Sequence, residues 1–185
     1  MEELFELFLE HSENLRSGYR ASLLPVTDNW SEILGSDIGE IPELLKIIYS
    51  RVSGTEYEIE NQMYMDFLPG YLLVHIREYA EAHKQLRNLL DNLGISEEYL
   101  PILRNYSSDF IAIKKDSEEI FEVLHDETEI FLIHKTPLDF LKTINAFYSE
   151  NVFFTDEDNY LDYDEDLQYE VARKYNPGVE FWVEE

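Results

Sequence analysis

Between residues 99 and 133 the chain alternates short apolar runs with polar breaks. The runs are Leu100-Pro101-Ile102-Leu103, Asp109-Phe110-Ile111-Ala112-Ile113, Ile120-Phe121-Glu122-Val123-Leu124 and Ile130-Phe131-Leu132-Ile133. Ile, Phe and Val dominate them, as strands prefer. Asn105-Tyr106-Ser107-Ser108, Lys114-Lys115-Asp116-Ser117 and His125-Asp126-Glu127-Thr128 are turn-like. Breaks of about four residues cannot hold a crossover helix, so neighbouring strands must run antiparallel. The runs at Phe110 and Phe131 are nearly continuous in apolar residues, which predicts central strands covered on both faces. Ile120, Glu122 and Leu124 alternate with Phe121 and Val123, a half-buried pattern.

Helical spacing frames this region. Met1 to Arg16 places Leu4, Phe5, Phe8 and Leu9 on one side, with Glu2, Glu3 and Glu6 in the first turns where the helix dipole favours them. Asp28 to Leu34 reads as a short helical turn, Gly35 to Gly39 as a loop, and Ile41-Pro42 as the opening of a second helix that Ser53-Gly54 stops. Thr55 to Pro69 is irregular and acidic. Tyr71 to Val74 predicts a short strand running into a helix with Ile76, Tyr79, Ala80, His83, Leu86, Leu90 and Leu93 on its apolar face and Gly94 as its stop. Thr136-Pro137-Leu138-Asp139 is a helix start with cap, first-turn proline and reaching carboxylate. Asp164 to Tyr175 reads as a last helix, and Val179 to Val183 as a closing strand. The prediction is an α+β domain: a mostly antiparallel sheet of about four to six strands flanked by helices. It occupies 1–185 as one unit, with an N-terminal helix and connection at 1–29, a core at 30–150 and an acidic C-terminal extension at 151–185.

Charge changes the picture more than composition does. Asp plus Glu number 40 against 14 Lys plus Arg, a net charge of −26. Such a surface repels nucleic acid and anionic membranes and attracts basic partners. The charge is uneven: no Lys or Arg lies between Arg51 and Arg77, nor between Lys142 and Arg173. There is no Cys, so neither a disulfide framework nor a thiolate metal site is expected, in keeping with a reducing, cytoplasmic setting. The N-terminus lacks a basic region and a cleavage pattern, and no apolar run approaches about 18 residues, so neither a signal peptide nor a membrane span is expected.

The order of short motifs resembles the SUKH superfamily, the group that includes the Smi/Knr-type cell-wall regulator of yeast and many bacterial immunity proteins. Trp30-Ser31-Glu32-Ile33-Leu34 and Ile41-Pro42-Glu43-Leu44-Leu45 with Ser53-Gly54 look like its opening signature. Phe67-Leu68-Pro69-Gly70-Tyr71-Leu72, Leu100-Pro101-Ile102-Leu103, Asp109-Phe110-Ile111-Ala112 and Phe140-Leu141 follow in that family's order. The likeness runs from Trp30 to Tyr148. Where the family often has glycines, this chain has Ser107-Ser108 and Glu118-Glu119. The resemblance implies helices round a mostly antiparallel sheet and no catalysis. It also implies a role in binding and neutralising a cognate toxin, often a nuclease.

No catalytic signature competes with that expectation. The five His (His11, His75, His83, His125 and His134) form no i, i+4 pair and no short cluster with carboxylates at metal-ligand spacing. There is no nucleophile elbow, phosphate loop or dinucleotide fingerprint. The run from Asp156 to Asp166 fails the EF-hand pattern, with Leu161 or Leu167 where glycine is needed and Leu167 or Arg173 where the closing Glu belongs. A solvated loop, incidental Ca²⁺ binding and a partner surface all remain open for it. Tyr160 and Tyr163 among the carboxylates favour the partner surface. The candidate contacts are Asp156, Glu157, Asp158, Tyr160, Asp162, Tyr163 and Asp164, with Glu56, Glu58 and Asp66 as a second set. The expectation is therefore a non-enzymatic immunity protein, without cofactor or metal, that covers the phosphate cleft of a basic toxin domain. A regulatory protein-interaction module of the Smi/Knr type, without a toxin partner, is the alternative.

Overall fold

The structure, a computed structural model, describes residues 1–183. Its centre is a five-stranded antiparallel sheet in sequence order: β1 (Leu72–Leu73), β2 (Tyr99–Arg104), β3 (Phe110–Lys114), β4 (Ile120–Val123) and β5 (Phe131–His134). The short polar breaks close hairpins, as their length requires. Phe110 to Ile113 on β3 are all buried, because β3 is the middle strand. β5 is not central. It is an edge, and Phe131 and Leu132 are only half-buried. An apolar run reports burial, and a last strand covered on one face by helices needs nearly as many apolar residues as a middle one.

Helices α1 (Glu2–Leu15), α2 (Tyr19–Ser22), α3 (Trp30–Ile38), α4 (Glu43–Tyr49), α5 (Tyr79–Asn92), α6 (Pro137–Ser149) and α7 (Glu165–Tyr175) surround the sheet. Helix α1 buries Phe5, Phe8 and Leu9, as the periodicity requires. Phe8 meets Phe67 with ring centroids 4.4 Å apart and Tyr148 edge-on at 5.8 Å. Helix α1 is tied to α6 by Ser12 Oγ donating to Tyr148 OH at 2.9 Å and Asn145 Nδ2 donating to the Leu4 carbonyl at 3.0 Å. Thr136 caps α6 by accepting from the Asp139 N–H at 3.1 Å, and its hydroxyl donates to the Asp139 carboxylate at 2.8 Å. The start Thr-Pro-Leu-Asp therefore acts locally, as its spacing implies. The predicted loop over Gly35–Gly39 is helical as far as Ile38, since Leu34 and Ile38 both reach the core one turn apart. On α5 the buried small residue is Ala82 rather than Ala80, which faces solvent.

The greatest departure is at the C-terminal end. Residues 151–163 form a two-stranded hairpin, β6 (Phe153–Thr155) and β7 (Leu161–Tyr163), where the sequence suggested only an aromatic, acidic stretch. The expected closing strand over Val179–Val183 is a 3₁₀ turn at Glu180–Trp182. A side chain makes this turn useful to the sheet: the Trp182 indole N–H donates to the Ile133 carbonyl at 2.6 Å. The free edge of β5 is thus covered by an indole instead of a sixth strand. One apolar cluster runs from Phe5 to Trp182 through all of these elements.

Two tight turns carry a local penalty. Ser108 sits at φ 73° and Glu118 at φ 58°, in the left-handed region. An L side chain there is disfavoured by about 1–2 kcal/mol. Ser108→Gly and Glu118→Gly are each expected to raise the free energy of unfolding by about 0.5–1 kcal/mol, after the greater chain entropy of glycine is deducted. Urea denaturation of the two single variants checks this. A loss of stability in both would mean that the serine and glutamate side chains hold these turns.

Candidate functional site

The acidic run folds into the β6–β7 hairpin and the first turn of α7, and its carboxylates divide into two groups. Asp156 accepts the N–H groups of Asp158 and Tyr160 at 2.9 and 2.8 Å, which closes the hairpin turn. Asp164 caps α7 by accepting the Leu167 N–H at 3.0 Å. These two carboxylates shape the backbone. Glu157, Asp158 and Asp162 are exposed, and of these only Asp162 has a local partner, the Tyr163 N–H at 2.8 Å. The register puts Phe154 opposite Asp162, so a large ring, 41% exposed, stands beside a carboxylate that no cation pairs among the described residues. Tyr163 is 37% exposed and Tyr160 half-buried. Exposed Phe154 is the residue the sequence reading missed. The signal for it was the alternation Val-Phe-Phe-Thr, which places one phenylalanine on each face once the segment is taken as a strand.

The second set of residues lies on the segment between β1's neighbour Thr55 and Pro69. Glu56 and Glu58 are exposed and line an open cleft of about 720 Å³ together with Glu78, Glu81, Arg77 and Arg104. Its floor is an ion pair between buried Arg104 and Glu78, with the Arg104 guanidinium 4.4 Å from the centre of the Tyr57 ring. Tyr106 OH donates to the Tyr57 carbonyl at 2.7 Å and holds that ring in place. Asp66 does not share this surface. It is only 6% exposed, and one of its carboxylate oxygens lacks a hydrogen-bond partner. Burial pushes its pKa up to about 6, although the Gly70 N–H and the Arg16 charge act in the other direction. Sequence spacing alone could not distinguish it from Glu56 or Glu58, which are exposed. Asp66 is therefore withdrawn from any contact surface.

The two cation-free stretches meet. Met63 and Tyr64 from the segment, and Thr155 and Asn159 from the hairpin, line one recess of about 300 Å³ together with Leu15, Ser17 and the largely buried Arg16, whose guanidinium donates to the Met63 carbonyl. Among the described residues, no Lys, Arg or His comes within 4 Å of the carboxylates of Glu56, Glu58, Glu60, Glu157, Asp158 or Asp162. Elsewhere cations are matched: Arg51 bridges Glu2 and Glu6, Lys115 meets Glu98, and Lys174 meets Glu150.

The histidines are occupied by the structure. His11 stacks on Tyr148, His83 pairs with Asp37 at 2.8 Å, and His75 Nδ1 accepts the Arg77 N–H. His134 is buried against Asn176 Oδ1 at 2.7 Å, and burial pushes its pKa down to about 4, so it is neutral at pH 7. Asp109, His125 and Asp126 bring three ligand-type atoms within 4.8 Å of one another, a grouping that the β3–β4 hairpin creates from residues 16 positions apart. Asp109 is already engaged: one oxygen accepts from the His125 backbone N–H and meets its Nδ1, both at 2.8 Å, and the other accepts from Asn105 Nδ2 at 2.8 Å. That carboxylate pins two sheet turns together, and the hydrogen bond that the His125 ring donates to Asp109 holds the His125 pKa above its ordinary value.

Among the described residues no helix is long and apolar enough to cross a membrane. No protein-family model matches the chain, and no curated protein matches it.

Proposed function

We propose that the chain is an immunity-type inhibitor that acts in the cytoplasm. It binds a basic protein, a nuclease toxin domain, through the surface where the 55–66 segment adjoins the β6–β7 hairpin. The observation that carries this reading is that two stretches without a single Lys or Arg, about 90 residues apart in sequence, touch at the recess they share with Arg16 and each carry exposed carboxylates with no cation within 4 Å among the described residues. The exposed rings of Phe154 and Tyr163 supply apolar contact among those charges. A nuclease needs cations in its cleft to hold phosphates, and an anionic protein matched to that cleft excludes the substrate. The SUKH-like order of motifs supports the same role.

Glu157, Asp158 and Asp162 are the residues to reverse, because Asp156 and Asp164 hold the backbone and their loss would confuse folding with binding. Changing these three to Lys is expected to slow association with the cognate basic nuclease domain by about ten- to a hundredfold at low salt, with a smaller effect on dissociation. Stopped-flow association at several ionic strengths measures it. An unchanged on-rate, or no complex with that domain at all, would remove the proposal.

A further inference from the structure

A second concavity lies between the sheet, α6 and α7. It is a partly enclosed cavity of about 220 Å³. By liquid volume that is room for about seven waters. Tyr71, Tyr163, Tyr169, Phe181 and Trp182 form aromatic walls. Tyr169, Phe181 and Trp182 stand against one another, with centroids 4.7–6.5 Å apart and planes at 27°, 68° and 88°. The Glu122 carboxylate faces this space from β4 and accepts a hydrogen bond from Tyr71 OH at 2.7 Å. Glu165 and Tyr163, both exposed to solvent, complete its lining.

The lining has a definite charge character. Among the described residues it contains two carboxylates, no Lys and no Arg. His134, on the same wall, is neutral at pH 7. Among the described residues no Lys, Arg or His comes within 4 Å of the Glu122 carboxylate, and burial pushes its pKa up from the ordinary value while the Tyr71 hydrogen bond acts against that. An anion would be repelled. A hydrated metal ion would find rings where it needs oxygen ligands. A positive group with an organic surface satisfies both the carboxylate and the rings, because aromatic faces attract cations.

We propose that this cavity binds an organic cation, an ammonium or guanidinium group that enters past Tyr163 and Glu165 and pairs with Glu122. Free small molecules and a Lys or Arg side chain of a protein present the same group. The site opens beside the proposed toxin-binding face, yet it needs no partner, and its test uses free cations only.

Choline and methylguanidinium are titrated into isotopically labelled full-length protein, with 3,3-dimethylbutanol as a neutral match for choline. Expected are saturable shifts of the Trp182 indole and Glu122 amide with the two cations and none with the alcohol. Glu122→Gln keeps the shape and the hydrogen bond from Tyr71, and should weaken cation binding by at least about tenfold at an unchanged melting temperature. A tighter response to a capped arginine peptide than to methylguanidinium assigns the group to a protein, and the reverse assigns it to a metabolite. Either supports the site. Equal shifts from the neutral alcohol, no saturable shift from any cation, or undiminished binding in Glu122→Gln would overturn it. Failure here leaves the on-rates at the hairpin untouched, and failure there leaves these titrations untouched.

Discussion

Replacing Gly54 with alanine is expected to lower the unfolding free energy by about 3–5 kcal/mol, combining left-handed strain with steric overlap. Residues 53–55 run alongside β1. The Thr55 N–H donates to the Leu73 carbonyl at 2.9 Å, and the Ile76 N–H donates to the Ser53 carbonyl at 2.8 Å. Gly54 holds φ 94°, and a Cβ there would lie 2.5 Å from the Val74 carbonyl oxygen and 2.8 Å from the His75 Cα. Both obstacles are backbone, so neither can rotate away. The Val74 carbonyl also accepts from buried Tyr49 OH at 2.7 Å, and displacing it disturbs that bond as well. The acidic segment leaves the sheet from Thr55, so the variant should also loosen Glu56 and Glu58. Denaturant unfolding with hydrogen exchange at residues 53–57 measures both effects. An alanine variant as stable as the parent would show that the chain moves off β1 at little cost.

Acid exposes the second large effect, which is hidden in the parent protein. His134 is neutral in the fold down to about pH 4, whereas an unfolded histidine takes up its proton near 6.5. Its contribution to stability is present above 6.5 and is lost as pH falls toward 4, at up to about 1.4 kcal/mol per pH unit. Asp66 acts in the opposite sense. Its folded pKa of about 6 exceeds the ordinary 3.8, so between those values the folded chain binds the proton the unfolded chain has lost. Stability from Asp66 therefore increases as pH falls from 6 toward 4. The two slopes oppose each other, each amounting to about 3 kcal/mol over the window. Asp66→Asn should thus lose stability relative to the parent as pH falls from 6 to 4, and His134→Gln should gain over the same range. Urea midpoints at half-unit pH steps test it. Curves parallel to the parent for both variants would dismiss the opposition.

The central strands and the ends of the long helices could be read residue by residue. Alternation and run length mark β2 to β4, because those side chains meet fixed faces of one sheet. Thr136, Pro137 and Asp139 mark the start of α6, because capping involves only neighbours along the chain. The same local logic found Gly94, which takes φ 73° just past α5. Charge asymmetry was equally legible, since counting Lys and Arg needs no coordinates.

Other features depend on what a segment lies against. Nothing in Phe131-Leu132-Ile133 says that β5 is an edge, because that is decided by Trp182, some 50 residues later, whose indole satisfies the Ile133 carbonyl. Nothing near Asp66 says that it is buried while Glu56 and Glu58 are not. The β6–β7 hairpin turns on the Asp156 carboxylate, an acid that the sequence alone presents as one more surface charge. Local sequence thus determined the α+β class, the antiparallel hairpins and the anionic stretches, because backbone geometry and charge are set by near neighbours. Only the tertiary structure decided which carboxylates face solvent, that two distant stretches meet at one recess, and that Glu122 looks into an aromatic cavity, because burial is a relation between residues far apart in the chain.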